Sequence, residues 1–344
     1  MKRRMPAEWE EQSGILITWP HERTDWAPAL ELVEPVFLEI AATASQFEKV
    51  LITIPSRENL EEKLGDAGAS LDNIYFFYME SNDTWARDHG PLTVFENGMP
   101  RLLDFGFNGW GLKFPACFDN MISRTLHRAG AFGNVALETV GLVLEGGSIE
   151  SDGEGTLLTT SECLLSPNRN PHLTREELED RLFRLLGAQR MLWIESGYLA
   201  GDDTDSHVDT LARFCPHDTI VHLSCEDEKD EHYEAMKSME AGLREFRTPE
   251  GRPYRLVALP MPRPIIDEEG ERLPATYANF LVINGAVLVP LYDDEQDGAA
   301  LKILGGAFPG RCAVGINCRP LLAQHGSLHC VTMHLPEGVL PCAP

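Results

Sequence analysis

The amino-acid sequence predicts a mixed α/β fold, and three observations carry that expectation. Short β-branched and aromatic runs recur from one end to the other, and stretches of helical periodicity lie between them. A rhythm of hairpin, helix and strand returns about every seventy residues without any literal repeat, which suits a ring of similar units. No Ser- or Gly-rich linker divides the 344 residues, and polar clusters with chemical potential come from both ends, so one domain spanning 1–344 is expected.

The strand-like runs are 14–19, 50–54, 74–79, 92–95, 102–105, 156–160, 191–194, 219–223 and 256–260. The clearest hairpin is 279–292, where Asn284-Gly285 sits between apolar runs and supplies the positive φ angles of a tight primed turn. Asn97-Gly98 and Asp152-Gly153-Glu154-Gly155 carry similar turn chemistry. Helices are expected over 28–47, 58–64, 118–129, 174–186 and 230–246, and the Thr174-x-x-Glu177 capping box fixes the start of the fourth. The Pro-rich patch 260–264, which runs into the acidic stretch 267–271, reads as a loop.

Composition narrows the partners. The net charge of −25, from 54 acidic and 29 basic side chains, repels nucleic-acid phosphate and anionic lipid and attracts cations, although an acidic surface more often serves solubility alone. Eight cysteines without a C-x-x-C pair, in a chain too large to need disulfide staples, read as mostly buried thiols of a reduced, cytoplasmic protein. Met1-Lys2-Arg3-Arg4 is followed by Pro6-Ala7-Glu8-Trp9-Glu10-Glu11 rather than an apolar stretch, so no export signal is read, and no run of about 18 apolar residues predicts a membrane span.

Four clusters carry chemistry: Asn82-Asp83-Thr84-Trp85-Ala86-Arg87-Asp88, Glu145-Gly146-Gly147, His207-Val208-Asp209 and His329-Cys330. Together they offer a thiol, imidazoles and carboxylates, the inventory for attacking a planar cation: carboxylates grip a guanidinium by paired hydrogen bonds, a thiolate attacks its carbon and a histidine moves protons. Taken singly, each has a blander reading. A lone cysteine after Gly326-Ser327 is usually core, a Glu-Gly-Gly is usually a bulge or corner, and a loop Asp-Arg pair is usually surface. Trp85 beside acids makes a seat for a delocalised cation, with Arg87 a structural partner of a carboxylate. If 207–209 is extended, His207 and Asp209 share one face, and Glu145 could orient His207 and favour its protonated form. H-x-D also occurs among metal ligands, but no second His cluster completes a transition-metal shell.

At these residues the chain resembles the agmatine deiminase family, related to the bacterial peptidyl-arginine deiminases within the guanidine-modifying penteins. The likeness runs through Met5-Pro6-Ala7-Glu8-Trp9-Glu10, Trp19-Pro20-His21, 82–91, 144–149, 204–209, 274–280 and His329-Cys330-Val331-Thr332, which is nearly the whole chain. It implies a five-bladed pseudo-symmetric α/β propeller of ββαβ-like units with the active site on the central axis. It also implies Cys330 as nucleophile, His207 as general acid/base, Glu145 as its partner, and Asp88 and Asp209 as guanidinium ligands. Two departures, His325-Gly326-Ser327-Leu328 in place of a glycine-rich stretch and Met333-His334 where the family usually has Gln, bear on recognition of the substrate tail rather than on the reacting groups.

The expected reaction is hydrolysis of agmatine to N-carbamoylputrescine and ammonia, on the way to putrescine and polyamines, through an S-alkylthiouronium on Cys330. The alternatives are a peptidyl-arginine deiminase, a non-catalytic binder of a cationic guanidine metabolite and an amidinotransferase. Trp85 is expected to stack on the tail and Asp293-Asp294-Glu295 to attract its amine. No metal or organic cofactor is required and homo-oligomerisation is left open.

Overall fold

The computed structural model describes residues 3–56 and 59–341, and within them the strands form five separate sheets. The expected helix start at Glu58, Met1, Lys2 and Cys342 lie outside the described residues.

Each sheet is one blade with one repeated topology: an antiparallel pair, then a helix, then a strand parallel to the second. The second blade holds Leu92–Glu96, Met99–Gly106 and Ala136–Val143, with Arg3–Arg4 added at its edge. The third holds Ile149–Ser151, Thr156–Thr160 and Arg190–Ile194, the fourth Ala212–Cys215, Thr219–Ser224 and Arg255–Pro260, and the fifth Leu281–Ile283, Ala286–Leu291 and Cys312–Asn317. A parallel neighbour cannot be reached by a tight turn, so each blade carries a crossover helix. These are Leu30–Ala44, Ile122–Arg128, Arg175–Leu186, Tyr233–Glu245 and Asp297–Ala307.

The first blade closes the ring. Its parallel strands Gln12–Thr18, Lys49–Ile54 and Ile74–Tyr78 come from the N-terminal region, but their antiparallel partner is Thr332–Pro336, with Thr332 opposite Ile17 and Met333 opposite Leu16. That register holds Cys330, two residues before the strand, over the N-terminal blade. The five-bladed α/β propeller of ββαβ units is therefore the observed fold.

Local chemistry explains most elements. Thr174 and Glu177 form the expected capping box, Leu178, Leu182 and Leu186 make the buried stripe, and Gly187 ends the helix at φ 73°. All three expected hairpins are present. A fourth, between Ala212–Cys215 and Thr219–Ser224, turns on His217 and Asp218 at φ 62° and 51°, a primed turn without glycine and so without the usual signal. The helix Asp297–Ala307 is a further addition to the expected elements, because Gly298, Gly305 and Gly306 lower its intrinsic propensity and packing against the fifth blade carries it instead. The expected 28–47 helix shortens to Leu30–Ala44 behind a 3-10 turn at Ala27–Ala29.

The apolar core lies between strands and helices, and the centre of the ring is polar. There Glu8 sits with Arg213, Arg87, His329 and His334, at 3.0, 3.4, 2.7 and 3.6 Å, while Arg213 also pairs with Glu150 and stacks over Phe280 at 4.3 Å. Alternating charge lets these ions be buried together, where an unpaired one would cost several kcal/mol, on the order of 3–5.

Candidate active site

Above this polar axis opens a cavity of about 490 Å³, with Trp85, Asp88, Trp110, Phe114 and Cys330 in its lining and Asp25, Asp83, Asp119 and Asp203 among its acidic groups. The candidate groups arrive from several connections between the blades. Cys330 follows the 3-10 segment Arg319–Gln324 and the left-handed His325. Gly326 must be glycine here, since a Cβ would lie 2.0 Å from the Trp85 ring. Asn279 then fixes the thiol: its Oδ1 accepts from the backbone N–H of His329 at 2.9 Å and of Cys330 at 3.3 Å, and lies 3.4 Å from Sγ.

Asp88 sits on a one-turn helix, Ala86–His89. Trp110 Nε1 donates to its Oδ2 and Gly147 N–H to its Oδ1, both at 2.9 Å, and His207 Nδ1 is 3.7 Å away. Residues 208–210 form a 3-10 turn rather than a strand, so His207 and Asp209 do not share a face by alternation; the turn itself brings both toward Gly147. A Cβ at Gly147 would lie 2.6 Å from His207 Nδ1, 2.9 Å from Asp88 Oδ1 and 3.0 Å from Asp209 Oδ2. Three candidate groups thus converge on one glycine. Gly147→Ala is expected to lower kcat/KM by about 10²-fold or more by pushing them apart, with thermal unfolding changed little by comparison. Steady-state kinetics beside a melting curve check this.

Glu145 is corrected in part. Its ligand oxygen lies within 4.8 Å of His207, but both carboxylate oxygens accept from Arg169 Nε at 2.9 Å, and neither ring nitrogen of His207 has a hydrogen-bond partner among the described residues. Burial, and after it Arg169, hold the His207 imidazole well below its usual range, so the ring is neutral rather than held protonated by Glu145. Glu145, Cys163 and His207 are close enough to suggest a metal shell, yet the Arg169 guanidinium already lies among these groups as their cation. Arg87 is a structural partner of Glu8, as expected. Asp293-Asp294-Glu295 does not line the cavity: Asp294 pairs with Arg263 at 2.9 Å and Asp293 meets Asn317. The carboxylates that line the cavity with Cys330 include Asp83 and Asp119 instead.

Sequence reasoning missed Trp110, Asn279, Arg169 and the depth of Glu8. Trp110 carried a signal, an aromatic between two glycines; residues 109–112 all have positive φ, which aims the indole at Asp88. The aromatic wall continues edge-on from Trp85 through Trp110 to Phe114, with centroids 6.3 and 5.6 Å apart.

Electrostatics suit a site that waits for a cation. Burial, opposed by the Trp110 N–H, pushes Asp88 up to about 7. Burial and then Asp88 hold Asp209 well above the carboxylate range, while burial, Asp209 and Asp88 hold the Cys330 thiol well above its usual value. A bound cation opposes every one of these shifts, favouring carboxylates and thiolate together. Because the Asp88 pKa is raised, its carboxylate is present above about 7 and is lost as pH falls through that value. We therefore expect kcat/KM to fall about tenfold per unit below that limb, with the limb in kcat displaced to lower pH by the bound cation. A pH-rate profile reads both.

The sequence pattern of the family described as Porphyromonas-type peptidyl-arginine deiminase matches residues 4–336. A Porphyromonas gingivalis structure designated provisionally as an arginine deiminase is 50% identical, covers 99% of this chain and 100% of its own, and superposes with a TM-score of 0.94. A C. jejuni agmatine deiminase, a cysteine-to-serine variant with substrate bound, is 40% identical over 98% of this chain and 97% of that one, with a TM-score of 0.91. A Shewanella baltica protein designated provisionally as an agmatine deiminase is 34% identical, over 97% of this chain and 94% of the relative.

Proposed function

Because the chain belongs to the Porphyromonas-type peptidyl-arginine deiminase family, we propose that it hydrolyses agmatine to N-carbamoylputrescine and ammonia. The observation that carries this reading is that Asp88, which lines an aromatic-walled, acidic cavity together with Cys330, also meets His207 and Asp209 around Gly147. Asp88 and Asp209 hold the guanidinium, and its charge lets the Cys330 proton pass to the neutral His207 imidazole as the thiolate adds to the central carbon. His207 delivers a proton to one amino nitrogen, the C–N bond breaks and ammonia departs, leaving an S-alkylthiouronium. His207 then takes a proton from water as its oxygen adds, and expulsion of the thiolate leaves the ureido product. Trp85 and Trp110 flank the alkyl tail. The chemistry needs no metal or organic cofactor, since the thiol supplies the covalent step.

The acidic cavity favours agmatine over peptidyl-arginine: burial pushes Asp83 and Asp119 up to about 7, as it does Asp88, and a free ammonium tail relieves that cost where a peptide amide does not. The opposing observation is an exposed apolar group, Leu112, Phe114 and Phe118, near the rim that could seat a peptide. All five blades act as one catalytic domain in this reading. With no helix among the described residues long and apolar enough to cross a membrane, and an acidic surface that repels nucleic acid, the protein is read as a cytoplasmic enzyme acting on a small cation, alone or as a homo-oligomer.

The test is release of ammonia and ureido product from agmatine, arginine and a blocked arginyl peptide. Agmatine is expected to exceed the peptide in kcat/KM by about 10²-fold or more, since a site built for a charged tail leaves its carboxylates unpaired with the peptide. Faster turnover of the peptide would reverse the assignment.

A further inference from the structure

His329 lies buried between two carboxylates, with Nδ1 2.7 Å from Asp209 Oδ2 and Nε2 2.7 Å from Glu8 Oε2. A neutral imidazole has one N–H and can donate to only one of them. The second contact, at that length, requires another proton, on the ring or on a carboxyl.

The surroundings decide where it rests. Arg213 lies 3.0 Å and Arg87 3.4 Å from Glu8 Oε2, and Val282 N–H donates to Glu8 Oε1 at 2.8 Å, so Glu8 stays a carboxylate. Asp209 meets His329 through Oδ2, its Oδ1 has no hydrogen-bond partner among the described residues, and the anionic form of Asp88 faces it across Gly147. Arg213, Arg87 and Glu150 act on it only at longer range. Burial, with Asp88, raises Asp209, and burial, with Arg213 and Arg87, lowers His329. Both effects put the proton on Asp209.

We propose that His329 is a positioning residue that takes the Asp209 proton when a guanidinium binds. In the free protein the Asp209 Oδ2–H donates to His329 Nδ1 and His329 Nε2–H donates to Glu8. As the cation settles against Asp209, the O–H bond breaks and an Nδ1–H bond forms. Asp209 becomes the carboxylate the cation needs, and the imidazolium is held between two carboxylates. The trio keeps a net charge of −1 and no proton reaches solvent. Asp88 differs: its two oxygens accept from the Trp110 and Gly147 N–H, and the nearest base, His207 Nδ1, lies 3.7 Å away, beyond hydrogen-bond distance, so its proton leaves to solvent. The inference rests on the reading of this site as a guanidinium site.

The experiment is ¹⁵N NMR of the histidine side chains in full-length Cys330→Ser protein at pH 8, above the Asp88 limb, with and without saturating agmatine. Free protein is expected to show His329 protonated at Nε2 alone, and bound protein to show both nitrogens protonated. Two protonated nitrogens before ligand, or one after, would overturn the proposal. Wild-type ammonia release from agmatine is measured in parallel. If it is absent, the functional reading fails separately, and guanidinium chloride at non-denaturing concentration becomes the probe for the proton shift. In His329→Gln, Asp209 must shed its proton to solvent, so the acid limb of kcat/KM should steepen from one proton to about two, with KM rising about tenfold. A role in folding alone would lower the melting temperature at every pH and leave that slope unchanged.

Discussion

Cys330→Ala is expected to lower ammonia release from agmatine by about 10⁴-fold or more while leaving agmatine binding measurable. Cys330 is the thiol that lines the cavity, whereas Cys163 is fully buried beside Arg169, and Cys117 and Cys312 are exposed outside it. In the proposed mechanism the cation is gripped by other atoms, those of Asp88 and Asp209, so binding and turnover should separate in this variant. Burial and the two carboxylates keep the free thiol neutral, so removing it should leave agmatine affinity close to that of the intact protein. Calorimetric binding beside single-turnover ammonia release gives the comparison. Loss of binding and turnover together would mean that Cys330 organises the pocket rather than attacks the substrate.

Asp88→Ala and Asp209→Ala should each cost about 3–5 kcal/mol in transition-state binding, on the order of 10²–10⁴-fold in kcat/KM, because a buried cation is left with one counter-charge where it had two. The two losses should differ in kind. Removing Asp88 frees the Trp110 and Gly147 N–H groups and removes one carboxylate whose pKa is raised to about 7, so the acid limb of the pH profile should become shallower. Removing Asp209 leaves His329 Nδ1 without its partner and should raise KM while keeping that limb. Near-normal kcat/KM in both variants would sink the assignment of the guanidinium ligands.

The inventory of the site is legible in the amino-acid sequence. Cys330, Asp88 and Trp85 stand out in their local segments and line one cavity; His207 and Asp209 stand out with them and meet Asp88 at Gly147. Roles set by hydrogen bonding are harder to read. Glu145 sits near His207 yet spends both oxygens on Arg169, a residue 24 positions away with no motif to mark it. Asn279 reads as the first residue of a hairpin, and its amide oxygen accepts from residues 50 and 51 positions downstream. Asp293-Asp294-Glu295 suggests an amine trap on charge alone and instead satisfies Arg263, Asn317 and local backbone.

By itself the sequence determined the α/β class, most strands and helices, the capping box at Thr174, three of the hairpins and the set of reacting groups. These follow from side-chain period, turn chemistry and residue type, which act over a few positions. Only the tertiary structure decided that Thr332–Pro336 pairs with Gln12–Thr18, that the 3-10 turn at Val208–Thr210 rather than strand alternation delivers His207 and Asp209, and that His329 joins Glu8 to Asp209 across 321 and 120 residues. Such pairings depend on which groups are brought within hydrogen-bond distance after water has been excluded, and local periodicity carries no information about that distance.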